Sequence, residues 1–412
     1  MLASPGCHQA YLAVRHELLK CLVKRQYIGI FDLAEALTAV RSEGVYFTFQ
    51  MENAIFLLDN WRRRSEIREV SQTSSNCLDE PNSLEEIIKL LHFHKMLCYF
   101  LEDYAINAPR PPWIQPMQWE NECLPLQLSI SERTRFIRAM CRLQTVKNIF
   151  GDPILCVNFG GCDCDPCQDR KAWQSGKTDE LKDIAREHGT WFIRKMAYRL
   201  FYGAIPPWEH EEMGGVFNYL IAKVDPIYKE IAHDLQELSK NTPCTFFWDI
   251  LPEEQWPPSG GEFEVEHDLV YFPQHFKGLA GLGPEFLYRA LHMDRLSRRN
   301  ILCVNKRGFW EGPFIGLGID LSWDHKFPFT DPADRHEPSN FEHFWSTLPP
   351  LEQPTLGWKK AWLLPHNEED ILEVSMDLER KSEKDWEWGY ALWDEKRLKE
   401  WKAPLLEENG SQ

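Results

Sequence analysis

Four cysteines lie close together in the chain: Cys156, Cys162, Cys164 and Cys167. Cys164-Asp-Pro-Cys167 has the C-x₂-C spacing that lets a tight turn present two thiolates to one zinc ion. Four thiols so near each other could close a tetrahedral site. Two features oppose this. Cys162 and Cys164 are close for sharing a metal, and no second C-x₂-C or H-x₃-H pair follows at zinc-finger distance. The other reading is a turn with flanking acids, Asp163 and Asp165, and unpaired thiols. No cofactor is therefore expected, and structural zinc on Cys156, Cys162, Cys164 and Cys167 is the alternative.

Other chemistry-bearing patterns are incomplete. Gly278-Leu-Ala-Gly281-Leu-Gly283 precedes a helix, but the segment before it contains Pro273 and is a poor central strand, and no Gly-Lys-Ser/Thr follows, so a phosphate cradle is not expected. His210-Glu-Glu and His336-Glu-Pro lack the second histidine of H-E-x-x-H, and no G-x-S-x-G is present. His92 and His94 sit two apart on a predicted helix, about 200° from each other, and cannot share one metal. No catalytic residue is assigned.

The elements that must position these groups are helical. Ser129-Ile-Ser-Glu132 is a capping box that opens a helix to Gly151. Phe136, Ile137, Met140, Cys141 and Leu143 fall on one side of it, and Arg135, Arg138 and Arg142 on the other. Lys147 sits on the apolar side and must fray or snorkel. Residues 9–25 read as a helix with Tyr11, Val14, Leu18 and Cys21 at helical spacing. Asp32 with Glu35 caps the next helix, which Gly44 ends. The helix at 50–64 turns Ile55, Leu58 and Trp61 inward and ends in arginines that complement its dipole.

Ser83 with Glu86 opens the helix at 84–104, whose apolar residues point in nearly every direction. Leu91, Phe93, Leu97 and Phe100 are expected in the core. Residues 107–119 are proline-rich and must be extended or turn-like. PPWEHEEMGG (206–215) breaks the helical pattern, and 216–239 resume it with an interruption near Pro226. Residues 304–366 carry glycine, proline and aromatics without clear period, with short strands such as Phe314–Leu317. Two acidic helices close the chain, at about 367–380 and 394–402. The fold class is mainly α: a multi-helix globular body with an irregular, aromatic-rich C-terminal third and few short strands. It divides into 1–106, 107–303 and 304–412, or forms one single domain.

With 412 residues, 43% of them hydrophobic, the chain can bury a large core. Its net charge of −17 opposes general binding to nucleic acid or anionic membrane, which needs a basic footprint. No run of 18 apolar residues and no signal-peptide h-region is present, so a cytoplasmic or nuclear protein with reduced thiols is expected.

Tryptophan is abundant, with 17 residues. Trp386, Trp388, Trp393 and Trp401 crowd beside the acidic helices. They either clamp the tail onto the helical body or form a surface that binds a protein partner.

Several stretches carry a resemblance. LAEALTAVRSEG, AIFLLDNWRRR, EIIKLLHFHKMLCYFLEDY, NAPRPPWIQPMQWE, LSISERTRFIRAMCRLQTVKNIFG and WGYALWDEKRLKEW occur in that order, spanning about residues 33–404. Together they resemble a large group of uncharacterised proteins of filamentous fungi, many of which begin with an F-box or F-box-like segment. An F-box needs an L-P-x-E-[IL] opening, and residues 1–32 contain none, so a Skp-type adaptor is not expected as a partner. The resemblance implies a non-enzymatic protein-interaction or scaffold protein related to F-box substrate-recognition subunits. The alternatives are an enzyme with an unrecognised site and a zinc-stabilised domain.

Overall fold

The computed structural model describes residues 5–27, 33–47, 50–63, 80–151, 196–197, 200–202, 205–239, 278–305, 346, 348–360 and 388–404. Among the described residues the regular structure is helical, without a strand. Phe314–Leu317 and residues 367–380 lie outside them. The main helices are α1 (Pro5–Tyr27), α2 (Leu33–Arg41), α3 (Met51–Arg62), α4 (Leu84–Asn107), α5 (Ile130–Phe150), α6 (Pro207–Ser239), α7 (Pro284–His292), α8 (Arg295–Asn305) and α9 (Glu395–Glu400). One hydrophobic cluster runs from Val23 to Ala403 and draws on nearly all of them.

Helix α5 is the centre of the body. Its capping box forms as the residues dictate: Ser129 Oγ accepts from the Glu132 N–H at 3.1 Å, and the Glu132 carboxylate accepts from the Ser129 N–H at 3.0 Å. Helices α2, α4, α6 and α7 and the tail turn Tyr390–Leu392 surround it. In consequence Arg135, Arg138 and Arg142, on the face away from the apolar residues, are buried too. Lys147 is half-buried.

Helix α4 opens on Ser83, whose hydroxyl accepts from the Glu86 N–H. Phe93, Leu97 and Phe100 are buried as expected, together with Ile87, Leu90, Met96 and Tyr104. Two expectations need correction. Leu91 is only half-buried, and the helix is not enclosed all round: Glu85, His92, Lys95 and Glu102 are exposed along one stripe. Replacing Leu97 by alanine should destabilise the protein by ~2–5 kcal/mol in a denaturant titration, because a fully buried leucine leaves a cavity that its neighbours fill only partly.

Residues 206–215 do not break the helical pattern. Helix α6 runs unbroken from Pro207 to Ser239, through Gly214-Gly215 and Pro226. The glycine is there for close approach: a Cβ on Gly215 would lie 3.2 Å from the Gly389 Cα. Buried Val224 and Ile227 on either side of Pro226 hold the axis where one backbone donor is missing.

The tail is locked to the body by aromatic rings. Trp393 stacks on Tyr104 of α4 at 5.7 Å between centroids and donates its indole N–H to the Trp388 carbonyl at 2.8 Å. Trp113 of the proline-rich segment, and Trp119 at the start of the helical stretch Trp119–Cys123 where that segment is no longer extended, meet Trp388 and Trp401 edge to face at 4.8 and 5.1 Å. The Trp113 N–H donates to the Trp401 carbonyl.

Candidate functional site

The densest set of ionisable groups is the buried face of α5. Arg138 donates through Nη2 to both Glu212 oxygens at 2.6 Å, and its Nη1 lies 2.9 Å from Glu209. Arg142 lies 2.5 Å from the other Glu209 oxygen and forms a two-pronged pair with Glu35, at 2.8 and 3.3 Å. Glu209 thus bridges two arginines one helical turn apart. The Arg142 guanidinium also sits over the Trp61 ring, 5.5 Å from its centroid.

Burial disfavours both cations, but Glu209 with Glu212, and Glu209 with Glu35, outweigh it and hold Arg138 and Arg142 above their ordinary pKa. One turn earlier, Arg135 donates to Asp394 at 2.8 Å, and Arg397 binds Glu132 at 2.6 Å. Burial raises the Asp394 carboxyl, yet hydrogen bonds from Ser129, Arg135 and Ser131 prevail and keep it below the usual carboxylate range. These groups spend most of their hydrogen bonds on one another and on backbone carbonyls such as that of Leu392, with the Arg135 Nε left over. The arrangement welds α2, α5, α6 and the tail together and offers no position to a reacting molecule.

A cleft of ≈ 220 Å³ opens where the end of α1, the middle of α4 and the start of α5 meet. Its polar lining is Gln26, Tyr27, His94, Cys98, Glu102 and Arg133. His94 and Cys98 are four apart on α4, on one face. The sulfur lies 3.6 Å from Nδ1 and 3.7 Å from Nε2. Near-equal distances to both nitrogens place it off the axis of either, which is not the geometry of a base bonded to its nucleophile. Burial pushes the Cys98 thiol up, Glu102 adds to this, and Arg133 opposes it. Burial pushes His94 down, against a hydrogen bond to the Gln26 backbone. The pair is a neutral thiol beside a neutral imidazole, not an activated nucleophile.

The second surface feature is α1 itself. Leu19, Val23 and Tyr27, spaced by four, face the body; Val23 and Tyr27 are fully buried, and the Tyr27 hydroxyl donates to the Leu90 carbonyl at 3.0 Å. The residues at helical spacing in the sequence, Tyr11, Val14, Leu18 and Cys21, lie on the outer face. Tyr11 is 42%, Val14 53%, Leu18 54% and Leu22 40% exposed. With Cys7 before them and Arg25 after, the outer positions 7, 11, 14, 18, 21 and 25 alternate by four and three, the seam spacing of a helix that packs against another helix.

The residues singled out in the sequence fall as follows. Cys156, Cys162, Cys164 and Cys167 lie outside the described residues, as do Trp386 and His336. Among the described residues no group of three or more His, Cys, Asp or Glu could hold a metal ion. Trp388 and Trp393 are buried and Trp401 is half-buried. The aromatic packing that locks the tail removes Trp388 and Trp393 from solvent. His210 is buried, with Nε2 2.8 Å from the Tyr202 carbonyl.

The glycine run before α7 meets the side chain of Gln144. Gln144 Oε1 of α5 accepts from the Glu285 N–H at 2.9 Å and occupies that helix start, while Gly283 takes φ +93° beside it. Two features escaped the sequence reading, the cleft and the outer face of α1. The i, i+4 pair His94 and Cys98, and the 4-3 rhythm from Cys7 to Arg25, were the signals that could have found them.

No family model matches the chain, and neither does any curated protein or solved structure. Among the described residues no helix is long and apolar enough to cross a membrane.

Proposed function

We propose that this chain is a protein-interaction subunit that docks a partner helix along the outer face of α1. The observation that carries the reading is the exposed 4-3 stripe from Cys7 to Arg25, on a helix whose opposite face is packed from Leu19 to Tyr27. An apolar stripe of this kind is stable in water mainly when something covers it. The spacing selects a helix as the cover, because knobs-into-holes packing is what a 3.5-residue repeat produces.

Charge narrows the partner further. Arg15 beside the seam and Arg25 at its end stand against Glu17, a locally basic strip on a protein of net charge −17. The complementary partner is an amphipathic helix with acidic flanks and an acid opposite Arg25. Parallel pairing with a second copy of this chain would set Arg25 against Arg25 and is disfavoured. A scaffold or recognition subunit, the kind of protein the family resemblance implies, works through such a surface.

Leu18→Asp provides the test. At an exposed position it should change unfolding free energy by no more than ~0.5 kcal/mol, while abolishing recovery of the partner that the wild-type chain retains on an affinity column. Retention of the same partner by the variant would refute the reading, and so would α1-dependent binding to anionic vesicles in place of a protein.

A further inference from the structure

The cleft between α1, α4 and α5 has a composition of its own, separate from the α1 seam. Its floor is apolar, made by Leu97, Leu101, Leu126, Leu128 and Ile137. At ≈ 220 Å³ it is smaller than the roughly 300–1,000 Å³ of sites that hold drug-sized ligands, so its occupant is a small molecule or less.

Two opposite charges line the same opening. Arg133 fixes its side chain by donating Nε to the Leu128 carbonyl at 3.1 Å, a bond that does not use the two outer guanidinium nitrogens. Glu102 lines the cleft from α4. Glu102, Arg133 and the Cys98 thiol line the same opening. Yet the two charges do not pair with each other, and among the described residues neither joins any ion pair within 4.0 Å. Gln26, also in the lining, carries a buried side-chain oxygen without a hydrogen-bond donor.

We propose that this cleft binds a small zwitterion with an apolar body, of which an apolar amino acid is the simplest. Its carboxylate takes the forked donors of Arg133. Its ammonium lies against Glu102 and, after a small turn of the amide, supplies the donor that Gln26 Oε1 lacks. Its hydrocarbon part displaces water from the leucines. The neutral His94 and Cys98 complete the wall without adding charge. Neither a plain hydrocarbon nor a simple anion satisfies both ends of the site.

Calorimetric titration of the full chain with L-leucine and with 6-aminohexanoate tests this over two spacings of the charges. Saturable one-to-one binding by at least one of them is expected. N-acetyl-leucine, which lacks the ammonium, and leucinamide, which lacks the carboxylate, should each bind at least about tenfold more weakly than leucine if leucine is the ligand. Glu102→Gln and Arg133→Gln, both at exposed positions, should leave the chain folded and each weaken the zwitterion by at least about tenfold. Three results overturn the proposal. One is no saturable heat from either zwitterion up to about 10 mM. Another is equal binding of the capped compounds. The third is unchanged affinity in both variants. Loss of the α1 partner would have no bearing on any of these readings.

Discussion

Arg138→Met is expected to cost the fold about 3–5 kcal/mol, read as a lower midpoint at unchanged slope in a urea titration. Methionine keeps the length and the helix propensity of arginine, so the loss does not come from α5 itself. It comes from Glu212 and Glu209, buried carboxylates left without the cation that balances them. Taking a charge out of water is expensive, and removing its partner exposes that expense. The companion change isolates the cause. In Arg138→Met/Glu212→Leu the unpaired carboxylate at that end is gone, and most of the loss should return. A cost below about 1 kcal/mol for the single change would show that the face of α5 is hydrated and that the arginines do not weld the helices together.

Trp393→Ala should be nearly as damaging, by ~3–5 kcal/mol. Trp393 has no solvent exposure; it stacks on Tyr104, meets Trp401 edge to face at 5.2 Å, and carries the Arg397 guanidinium 5.7 Å from its ring centroid. Arg397 in turn holds Glu132 of the α5 capping box. The indole therefore links the tail to α4 and to the first turn of α5 at once. The measurement is the melting temperature of the isolated protein. If the variant melts like the wild type, the tail tryptophans do not clamp the body.

The local signals in the sequence are those that a single turn can satisfy. Ser129 with Glu132, Ser83 with Glu86, and Gly44 at φ +78° after α2 all form where the residues require them. What the sequence hides is which groups supply the partners. Periodicity marks Arg135, Arg138 and Arg142 as one polar face of α5, but it cannot tell water from carboxylates. Glu212 lies 74 residues along the chain from Arg138, and Glu35 lies 107 from Arg142. The same gap explains residues 206–215: Glu209 and Glu212 read as loop acids until their arginines are known.

On α1 both faces carry apolar residues. Leu19, Val23 and Tyr27 are an equally good inward stripe, and nothing in the spacing chooses it over Tyr11, Val14 and Leu18. The tail tryptophans left two uses open for a related reason. Their density says that they pack, and only the position of Tyr104 says against what. The cleft was hidden more deeply, because its lining comes from Gln26, His94, Glu102 and Arg133, which no local pattern joins.

The interaction reading stands or falls on the outer face of α1. A photo-crosslinking amino acid placed at Leu18 of the full chain tests that face directly, with a second variant carrying it at the exposed Phe56 of α3 as a control. The expected result is one protein adduct from position 18 and none from position 56, with the crosslinked peptide an amphipathic helix bearing acids beside its apolar stripe. No adduct from position 18, or the same adduct from both positions, would contradict the account.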